Sequence, residues 1–165
     1  MYSFEEKLLP EELAILNRLT NHSLNFEAMA VVTNLYRAAQ RLRTKMERDV
    51  LSKYNISWTA FTLLYNLWIW GSMEPRKLAK SMGVTVAAVS SMTNTLERKQ
   101  WCKREANLRD RRLVLVTLTD EGKKVIEELY PEFNQGEADV VADLDREEQK
   151  ILTQLLRRVN KKIED

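Results

Sequence analysis

The sequence feature that most constrains this fold is a pair of short helical segments set close together within residues 74–99. Pro75 stands where proline favours the first position of a helix, and Gly83 ends that segment after little more than two turns. Thr85 then provides an N-cap for a second helix. Two helices joined by a tight turn containing glycine predict a helix-turn-helix.

The apolar pattern changes from helical to alternating after Gln100. Alternation over 101–106 and 113–118 predicts two strands, the second rich in β-branched residues. The polar segment 107–112 between them is predicted to form the tip of a hairpin. A hairpin directly after a helix-turn-helix predicts a wing.

The rest of the chain is predicted to form long helices, because only four glycines and three prolines, which interrupt helices, occur among its 165 residues. A short helix is predicted over Pro10–Leu19 and a long amphipathic helix over Glu27–Tyr54. The next helix, Trp58–Trp70, is capped by Ser57 and is almost wholly apolar, so it is predicted to be buried. Thr119 is predicted to open a helix that continues past Pro131 with a kink, and a capping box of Asp145 and Glu148 to open the final helix.

Composition excludes several classes of protein. A hydrophobic content of 44% suffices for a core, and we expect a cytosolic chain, since it has neither a signal-peptide pattern nor an apolar run near the ~20 residues of a membrane span. Cys102 and His22 are the single cysteine and histidine, so an internal disulfide, a structural zinc site and a histidine-based triad are excluded. We expect no cofactor.

Charge is unevenly distributed although the net charge is only +2. The segment Arg98–Arg112 holds seven basic residues against two acidic ones, whereas Asp120–Asp165 holds thirteen acidic residues against eight basic ones. Such a distribution predicts one surface built for phosphates. The alternative is an ordinary solvated run of charge, which charge alone leaves equally open.

The outward face of the second helix is composed of small or hydrogen-bonding residues. At about 100° per residue, the positions opposite its apolar stripe are these: Ala87, Ser91, Asn94 and Arg98, with Thr85 at the cap and Val86, Ser90 and Thr95 alongside. A helix that enters a major groove needs short side chains, apolar groups for thymine methyls and polar groups for base edges. An ordinary exposed face would carry Glu and Lys instead.

The predicted hairpin tip is rich in arginine. Arg109, Arg111 and Arg112 surround Asp110, and an arginine at such a tip can enter a narrow, electronegative minor groove while the aspartate holds one guanidinium. Arg76 and Lys77 of the first helix, with Arg98 and Lys99, would add attraction for phosphate. Considered without the neighbouring motifs, these four residues are explained more simply by a surface ion pair, worth at most about 1 kcal/mol to stability.

These motifs together resemble the MarR family of winged helix-turn-helix regulators. The resemblance rests on Leu78-Ala79, Gly83-Val84-Thr85, Val89, Leu96-Glu97-Arg98-Lys99, Asp110-Arg111-Arg112 and Leu118-Thr119-Asp120-Glu121-Gly122 in this order and spacing. It implies that Asp110 buttresses the wing and that Arg112 reaches the minor groove. Gln100 departs from the family pattern, which usually has glycine after the recognition helix, and this leaves the local helix end open.

The resemblance also implies a homodimer held by helices from both chain ends. The expected architecture is mainly α with a small β-wing: residues 1–26 form an N-terminal arm, residues 27–56 and 120–165 a helical dimerisation domain, and residues 57–119 the winged helix-turn-helix domain.

Members of this family often sense small phenolic or lipophilic molecules. The candidate effector residues here are Tyr36, Arg37, Arg41, Trp58, Tyr65 and Trp68. The aromatic residues among them are as readily explained as core, and the two arginines as exposed helix residues. Thiol sensors in the family carry a reactive cysteine near the N-terminus, so Cys102, at the start of a wing strand, does not favour redox sensing.

The sequence leaves three functions to compare. The main hypothesis is a sequence-specific DNA-binding regulator, acting on double-stranded DNA as a homodimer and repressing by default, without contact with membranes. The alternative is a winged-helix module that binds a protein, for which the basic excess of Arg98–Arg112 has no use. An enzyme is the weakest option, because no nucleophile has a base at a recognisable spacing.

Overall fold

The computed structural model describes residues 9–19, 23–107 and 113–164, without the side chains of Leu16 and Glu164. The helices and strands of this part are, in chain order, α1 (Pro10–Leu19), α2 (Phe26–Asp49), α3 (Trp58–Trp70), α4 (Pro75–Met82), α5 (Val86–Arg98), β1 (Cys102–Ala106), β2 (Val114–Leu118), α6 (Asp120–Val140) and α7 (Arg146–Glu164). The predicted fold, mainly helical with a small β-wing, is confirmed. None of the helices described is long and apolar enough to cross a membrane.

The predicted helix starts are confirmed by their caps. Ser57 Oγ accepts from the backbone N–H of Ala60 at 3.2 Å, and Thr85 Oγ1 accepts from that of Ala88 at 3.1 Å. Asp145 and Glu148 form the predicted capping box: the Asp145 carboxylate accepts from the Glu148 N–H at 2.9 Å, and the Glu148 carboxylate accepts from the Asp145 N–H at 2.8 Å. Local sequence therefore fixes where these helices begin.

The prediction of one helix over Glu27–Tyr54 is wrong at its C-terminal end. Helix α2 ends at Asp49, and a 3-10 helix, Leu51–Tyr54, follows. Asn55 closes it in the left-handed conformation, with φ 51°, and its N–H donates to the carbonyls of Leu51 and Ser52. The tighter turn satisfies the last carbonyls and places Leu51 fully inside the core.

Complete burial of α3 is also wrong, although its bounds are as predicted. Its central residues are buried, but Ile69 is 46% and Trp70 is 71% exposed. The chain leaves α3 at Gly71 and pairs Met73 with Val116 of β2. The last helical turn therefore reaches the surface instead of ending inside the core.

The chain divides into two compact units, Met1–Arg43 and Thr44–Asp165. In the first, the Asn34 side-chain amide on α2 donates to the Glu12 carboxylate on α1 at 2.6 Å. The Leu9 N–H also donates to Glu12, at 2.7 Å. These two hydrogen bonds, the one from Leu9 first, lower the pKa of Glu12 below its usual value. The predicted short N-terminal helix is thus tied to α2 by polar contacts.

The core of the second unit is built around α3, which contacts α4, α5, α6 and β2. The largest fully buried side chains come from all of these elements and from the segment before α3: Met46, Leu51, Leu63, Leu64, Leu78, Val89, Thr93, Leu96, Val116, Ile126 and Leu129. The helix-turn-helix and the wing therefore share one core.

The wing is a two-stranded antiparallel sheet. Its register pairs Cys102 with Leu118 and Ala106 with Val114. On the other edge of β2, Met73 and Val116 exchange two backbone hydrogen bonds of 3.0 and 2.8 Å. The second wing strand is thus attached both to its hairpin partner and to the segment before α4.

The base of the wing is a tight junction between α5, β1 and α6. Thr119 Oγ1 donates to the Gln100 carbonyl at 2.5 Å, and the Thr119 N–H donates to the Trp101 carbonyl at 3.2 Å. Gln100 has φ 60°, so it adopts the left-handed conformation that glycine would favour there. A Cβ atom at Gly122 would lie 1.8 Å from the Trp101 carbonyl oxygen. Only glycine fits at position 122 without a shift of the backbone.

We expect Gly122→Ala to lower the free energy of unfolding by about 2–3 kcal/mol, because the new methyl group meets a backbone carbonyl that other bonds hold in place. Gly136→Ala is the matched control: it lies in the same helix, and its Cβ would meet side-chain atoms and no backbone, the end of Met46 at 2.8 Å and Val50 Cγ2 at 3.9 Å. Urea denaturation of both variants measures the difference. Equal stabilities would contradict the close approach at Gly122.

Candidate nucleic-acid interface

The helix-turn-helix is formed by α4, a three-residue turn and α5. Pro75 occupies the first turn of α4, and Gly83 ends the helix in the left-handed conformation with φ 64°. The Val84 N–H then donates to the Ala79 carbonyl at 3.0 Å. Leu78 and Val89 are fully buried between the two helices and the core. The turn thus fixes how α5 leaves α4.

The outward face of α5 is exposed as predicted. Its apolar side is buried through Val89, Thr93 and Leu96. Ser90 is half-buried, and the other predicted base-reading positions are exposed: Thr85, Val86, Ala87, Ser91, Asn94 and Arg98. A shallow, open depression of about 450 Å³ lies on this helix and is lined by Ser91, Asn94, Thr95, Glu97 and Arg98.

Helix α5 carries little charge of its own. Its charged residues are Glu97 and Arg98, both in the last turn, and its first turn holds no acid that would compensate the positive end of the helix dipole. Arg98 is exposed, and one of its Nη atoms donates to Thr95 Oγ1 at 3.3 Å. The N-terminal half of α5 is therefore uncharged and composed of small side chains.

The basic segment is less available to phosphate than its composition indicates. The Lys99 ammonium lies 4.6 Å from the centre of the Trp101 ring and donates to the Tyr54 carbonyl at 3.4 Å. Lys103 pairs with Glu105 on the same strand at 3.1 Å. A count of charges from the sequence does not detect such pairing.

Arg76 and Lys77, the two basic residues of α4 predicted to attract phosphate, are both exposed. Lys77 pairs with the Glu74 carboxylate at 2.8 Å. The four residues predicted at the wing tip, Arg109, Asp110, Arg111 and Arg112, lie outside the described residues. Their roles remain predictions from the sequence.

Three of the predicted effector residues form one aromatic cluster. Trp58, Tyr65 and Trp68 lie on the same face of α3 and are half-buried. Trp58 lies 6.3 Å from Phe61, and Tyr65 lies 6.3 Å from Trp68, between ring centres. The structure therefore brings these three together through the face of a single helix.

The aromatic cluster is completed by two rings of α6 that the sequence analysis did not single out. Phe133 stacks on Phe61 at 4.1 Å, and Tyr130 lies 5.5 Å from Tyr65 and 5.2 Å from Trp68. Partial burial, and then its hydrogen bond to Tyr65, raise the pKa of Tyr130. The signal in the sequence was the apolar stripe of α6, in which Tyr130 and Phe133 follow Ile126 and Leu129 at helical spacing.

The other three predicted effector residues lie on α2 in the first unit. Tyr36 is 65% exposed, and its hydroxyl accepts from the Gln40 amide at 3.2 Å. Arg37 lies 3.8 Å from the Glu11 carboxylate of α1, and Arg41 is exposed. Among the residues that the structure describes, no group of three or more His, Cys, Asp or Glu side chains could hold a metal ion.

Cys102 lies at the start of β1 with 2% of its surface exposed. Burial, and then the nearby Glu97 carboxylate, raise the pKa of its thiol to about 12. Both effects disfavour the thiolate, which is the reactive form. This environment disfavours reaction of the Cys102 thiol with oxidants, and the expectation that Cys102 is not a redox sensor stays a prediction.

We expect the Cys102 thiol to react with iodoacetamide far more slowly than a free thiol at pH 8, and to react fully once the protein is unfolded in guanidinium. The raised pKa of the Cys102 thiol in the folded protein keeps it neutral and slow to react. For the same reason, the contribution of this buried thiol to the free energy of unfolding is fully present below the pKa of the unfolded-state thiol and decreases as the pH rises above that pKa. Mass spectrometry of the alkylated protein measures the rate. Rapid alkylation of the folded protein would contradict the burial.

Comparison with known proteins shows the family to which the chain belongs. A sequence model of the MarR family matches residues 56–114, which span α3, the helix-turn-helix and β1. The chain is 54% identical over 149 residues to the uncharacterised HTH-type transcriptional regulator YwaE of Bacillus subtilis, covering 90% of this chain and 87% of that protein.

Two solved structures are similar over most of the chain. One is Sco3205, a MarR family transcriptional regulator from Streptomyces coelicolor in complex with DNA, at a TM-score of 0.77 and 26% identity, covering 87% of this chain and 92% of that one. The other is NadR in complex with 4-hydroxyphenylacetate, at a TM-score of 0.69 and 25% identity, covering 81% and 97%. The chain belongs to the MarR family of helix-turn-helix transcriptional regulators.

Proposed function

We propose that this protein is a sequence-specific DNA-binding regulator that binds a pseudo-palindromic operator as a homodimer, represses by default and is released by a small aromatic or lipophilic effector. The observation that carries the proposal is the outward face of α5, which is exposed, composed of small side chains and uncharged over its N-terminal half. The DNA complex of the similar Sco3205 supports the same use of this fold.

The side chains of α5 fit the edges of bases better than phosphates. The Asn94 amide can donate and accept at once, which is the pattern that adenine presents in the major groove. Ser91 suits several bases, and Ala87 offers a methyl group to thymine. The positive end of the helix dipole at Thr85 adds attraction without a charged side chain. In this proposal α5 supplies specificity.

The wing supplies most of the attraction for the DNA backbone. Lys99 and Lys103 have partners within the protein, which leaves the arginines Arg109, Arg111 and Arg112 as the main source of charge, with Asp110 holding one of them in position. Arg76 and Arg98, both exposed, add contacts beside α5. An arginine of the wing, Arg112, enters the minor groove.

The apolar surface of α7 supports a homodimer. Ile151, Leu152 and Leu155 are 42%, 41% and 48% exposed, and Ile163 is 74% exposed. A helix whose apolar stripe remains at the surface needs a partner, and a second copy presents the same stripe. Two-fold symmetry then places two copies of α5 in major grooves about 34 Å apart.

Selection of bound duplexes from a random pool tests the proposal. The expected consensus is an inverted repeat with half-sites about one helical turn apart, bound by two chains per duplex in sedimentation analysis. A pool without a consensus, or one chain per duplex, would contradict it.

Two substitutions separate the two DNA contacts. We expect Asn94→Ala to relax the preference at one position of each half-site with little change in salt dependence, because an amide neutralises no phosphate. Arg112→Ala should weaken binding to all duplexes and flatten the salt dependence, whereas Arg112→Lys, the matched control, keeps the charge and part of that dependence. Fluorescence anisotropy at several salt concentrations measures both, and identical effects of the two alanine variants would contradict the division of roles.

In the second unit, Trp58, Tyr65 and Trp68 are the residues proposed to contact the effector. In the first unit, Tyr36, Arg37 and Arg41 are the candidates that the sequence predicts. Partly exposed aromatic rings suit a phenolic or aromatic acid, an arginine can pair with its carboxylate, and NadR was solved with such a ligand. We expect an aromatic acid to release the selected duplex, and Arg37→Gln to abolish this release without changing affinity for DNA. Release by no member of a panel of aromatic acids, phenols and lipophilic compounds would contradict ligand control.

A further inference from the structure

Among the described residues, the side chains of Glu97 on α5 and Arg104 on β1 link the recognition helix α5 to the wing, in addition to a weaker contact of Cys102 Sγ with the Thr93 carbonyl at 3.8 Å. The backbone N–H of Arg104 donates to one oxygen of the Glu97 carboxylate at 2.8 Å, and the guanidinium Nη1 of Arg104 donates to the other oxygen. Its Nη2 atom donates to the Ser90 carbonyl of α5 at 3.0 Å. A single residue of the wing strand thus binds two sites on the recognition helix.

The two sites are two helical turns apart on the same side of α5. At about 100° per residue, Ser90 and Glu97 differ by only about 20° around the helix axis, and their side lies roughly a quarter turn from the outward face. Arg104 therefore follows the length of α5 beside the surface proposed to read bases. Its position two residues before the end of β1 places the contact close to where the hairpin tip begins.

The guanidinium of Arg104 binds groups of the protein itself, the Glu97 carboxylate and the Ser90 carbonyl. Its side chain and that of Glu97 are 30% and 29% exposed, compared with 56% for the neighbouring Lys103. Hydrogen bonds between charged groups are stronger than neutral ones, and the planar guanidinium can bind a carboxylate and a carbonyl at the same time. A lysine has the charge but not this geometry.

We propose that Glu97 and Arg104 are positioning residues, which hold the first wing strand against the recognition helix so that the wing and the helix engage DNA in one fixed relation. In this view Arg104 contributes to DNA binding through Glu97 and not through a phosphate. The inference rests on the proposed function, because it concerns how two DNA-contacting elements are held.

Substitution of Glu97 distinguishes this role from a phosphate contact by the sign of the effect. Glu97→Gln removes a negative charge beside the proposed DNA surface and weakens the link to Arg104, because one acceptor oxygen becomes a donor and the remaining hydrogen bond is no longer charge-assisted at the acceptor. If Arg104 bound phosphate, affinity would rise. If the pair positions the wing, affinity falls despite the more favourable charge.

The experiment measures affinity for the duplex selected by the unmodified protein, by fluorescence anisotropy. We expect Glu97→Gln to weaken binding about fivefold to tenfold, the upper part of the range for loss of one ordinary hydrogen bond, because glutamine can still accept one bond from Arg104. Glu105→Gln is the matched control: it removes the same charge from an exposed position of β1, where the carboxylate pairs with Lys103 and accepts from Thr117 but does not contact α5, and it should leave affinity unchanged or slightly higher. Equal or tighter binding by Glu97→Gln would overturn the proposal.

A double-mutant cycle shows whether the pair acts through the wing. In an Arg112→Ala background the minor-groove contact proposed for Arg112 is already lost while Arg109 and Arg111 remain, so the penalty of Glu97→Gln should fall to about half or less of its value in the unmodified protein. A full penalty in that background would overturn the inference while leaving the proposed function intact. An Arg112→Ala variant that binds as well as the unmodified protein would instead contradict the proposed function.

Arg104→Lys is the second variant, which serves if Glu97→Gln does not fold, as judged by thermal denaturation. It keeps the charge and loses the two-site geometry, so positioning predicts a loss close to that of Glu97→Gln. Retention of full affinity by Arg104→Lys would show that charge alone matters and would overturn the proposal.

Discussion

Burial of α3 is the interaction on which the second unit depends. Leu63 and Leu64 are fully buried, and each contributes about 1.5–3 kcal/mol relative to exposure. Asn66, the most polar residue of this helix, is 7% exposed, yet its amide donates to the Thr62 carbonyl at 2.8 Å and its oxygen accepts from Ser81 of α4 at 2.6 Å. Because α4, α5, β2 and α6 all pack on this one helix, their positions relative to one another are set by a shared core.

Much of this architecture could be predicted from the sequence because its signals are local. Pro10, Ser57, Pro75 and Gly83 act within a turn of their own positions, and the bounds of α1, α3 and α4 follow from these residues and from the apolar period. The end of α2 could not be predicted, because the stop at Asp49 depends on drawing Leu51 into a core made by distant residues. The exposure of Trp70 has the same origin, since it depends on where Met73 pairs.

The sequence predicted which residues of the candidate site lie on the outward face of α5, but not which of its basic residues have partners within the protein. Outward positions of α5 such as Ser91 and Asn94 follow from helical geometry once the apolar side is known. The partners of Lys99 and Arg104 could not be found in this way, because they come from the ring of Trp101, the carbonyl of Tyr54 and the carboxylate of Glu97, which only the folded chain brings near. Charge counted along a segment thus overstates what a surface can offer to a ligand.

The bridge between Met73 and Val116 has a consequence for solubility. The segment Val114–Leu118 combines β-branched and apolar residues without a charge, which is the composition of segments that assemble into intermolecular sheets when an edge is open. One edge of this strand pairs with β1, and the other is occupied at its centre by Met73. The strand left at the edge of the sheet is β1, where Lys103, Arg104 and Glu105 stand, and charged side chains at an edge oppose pairing with a further strand. The most aggregation-prone segment of the wing is therefore kept in the middle of its sheet.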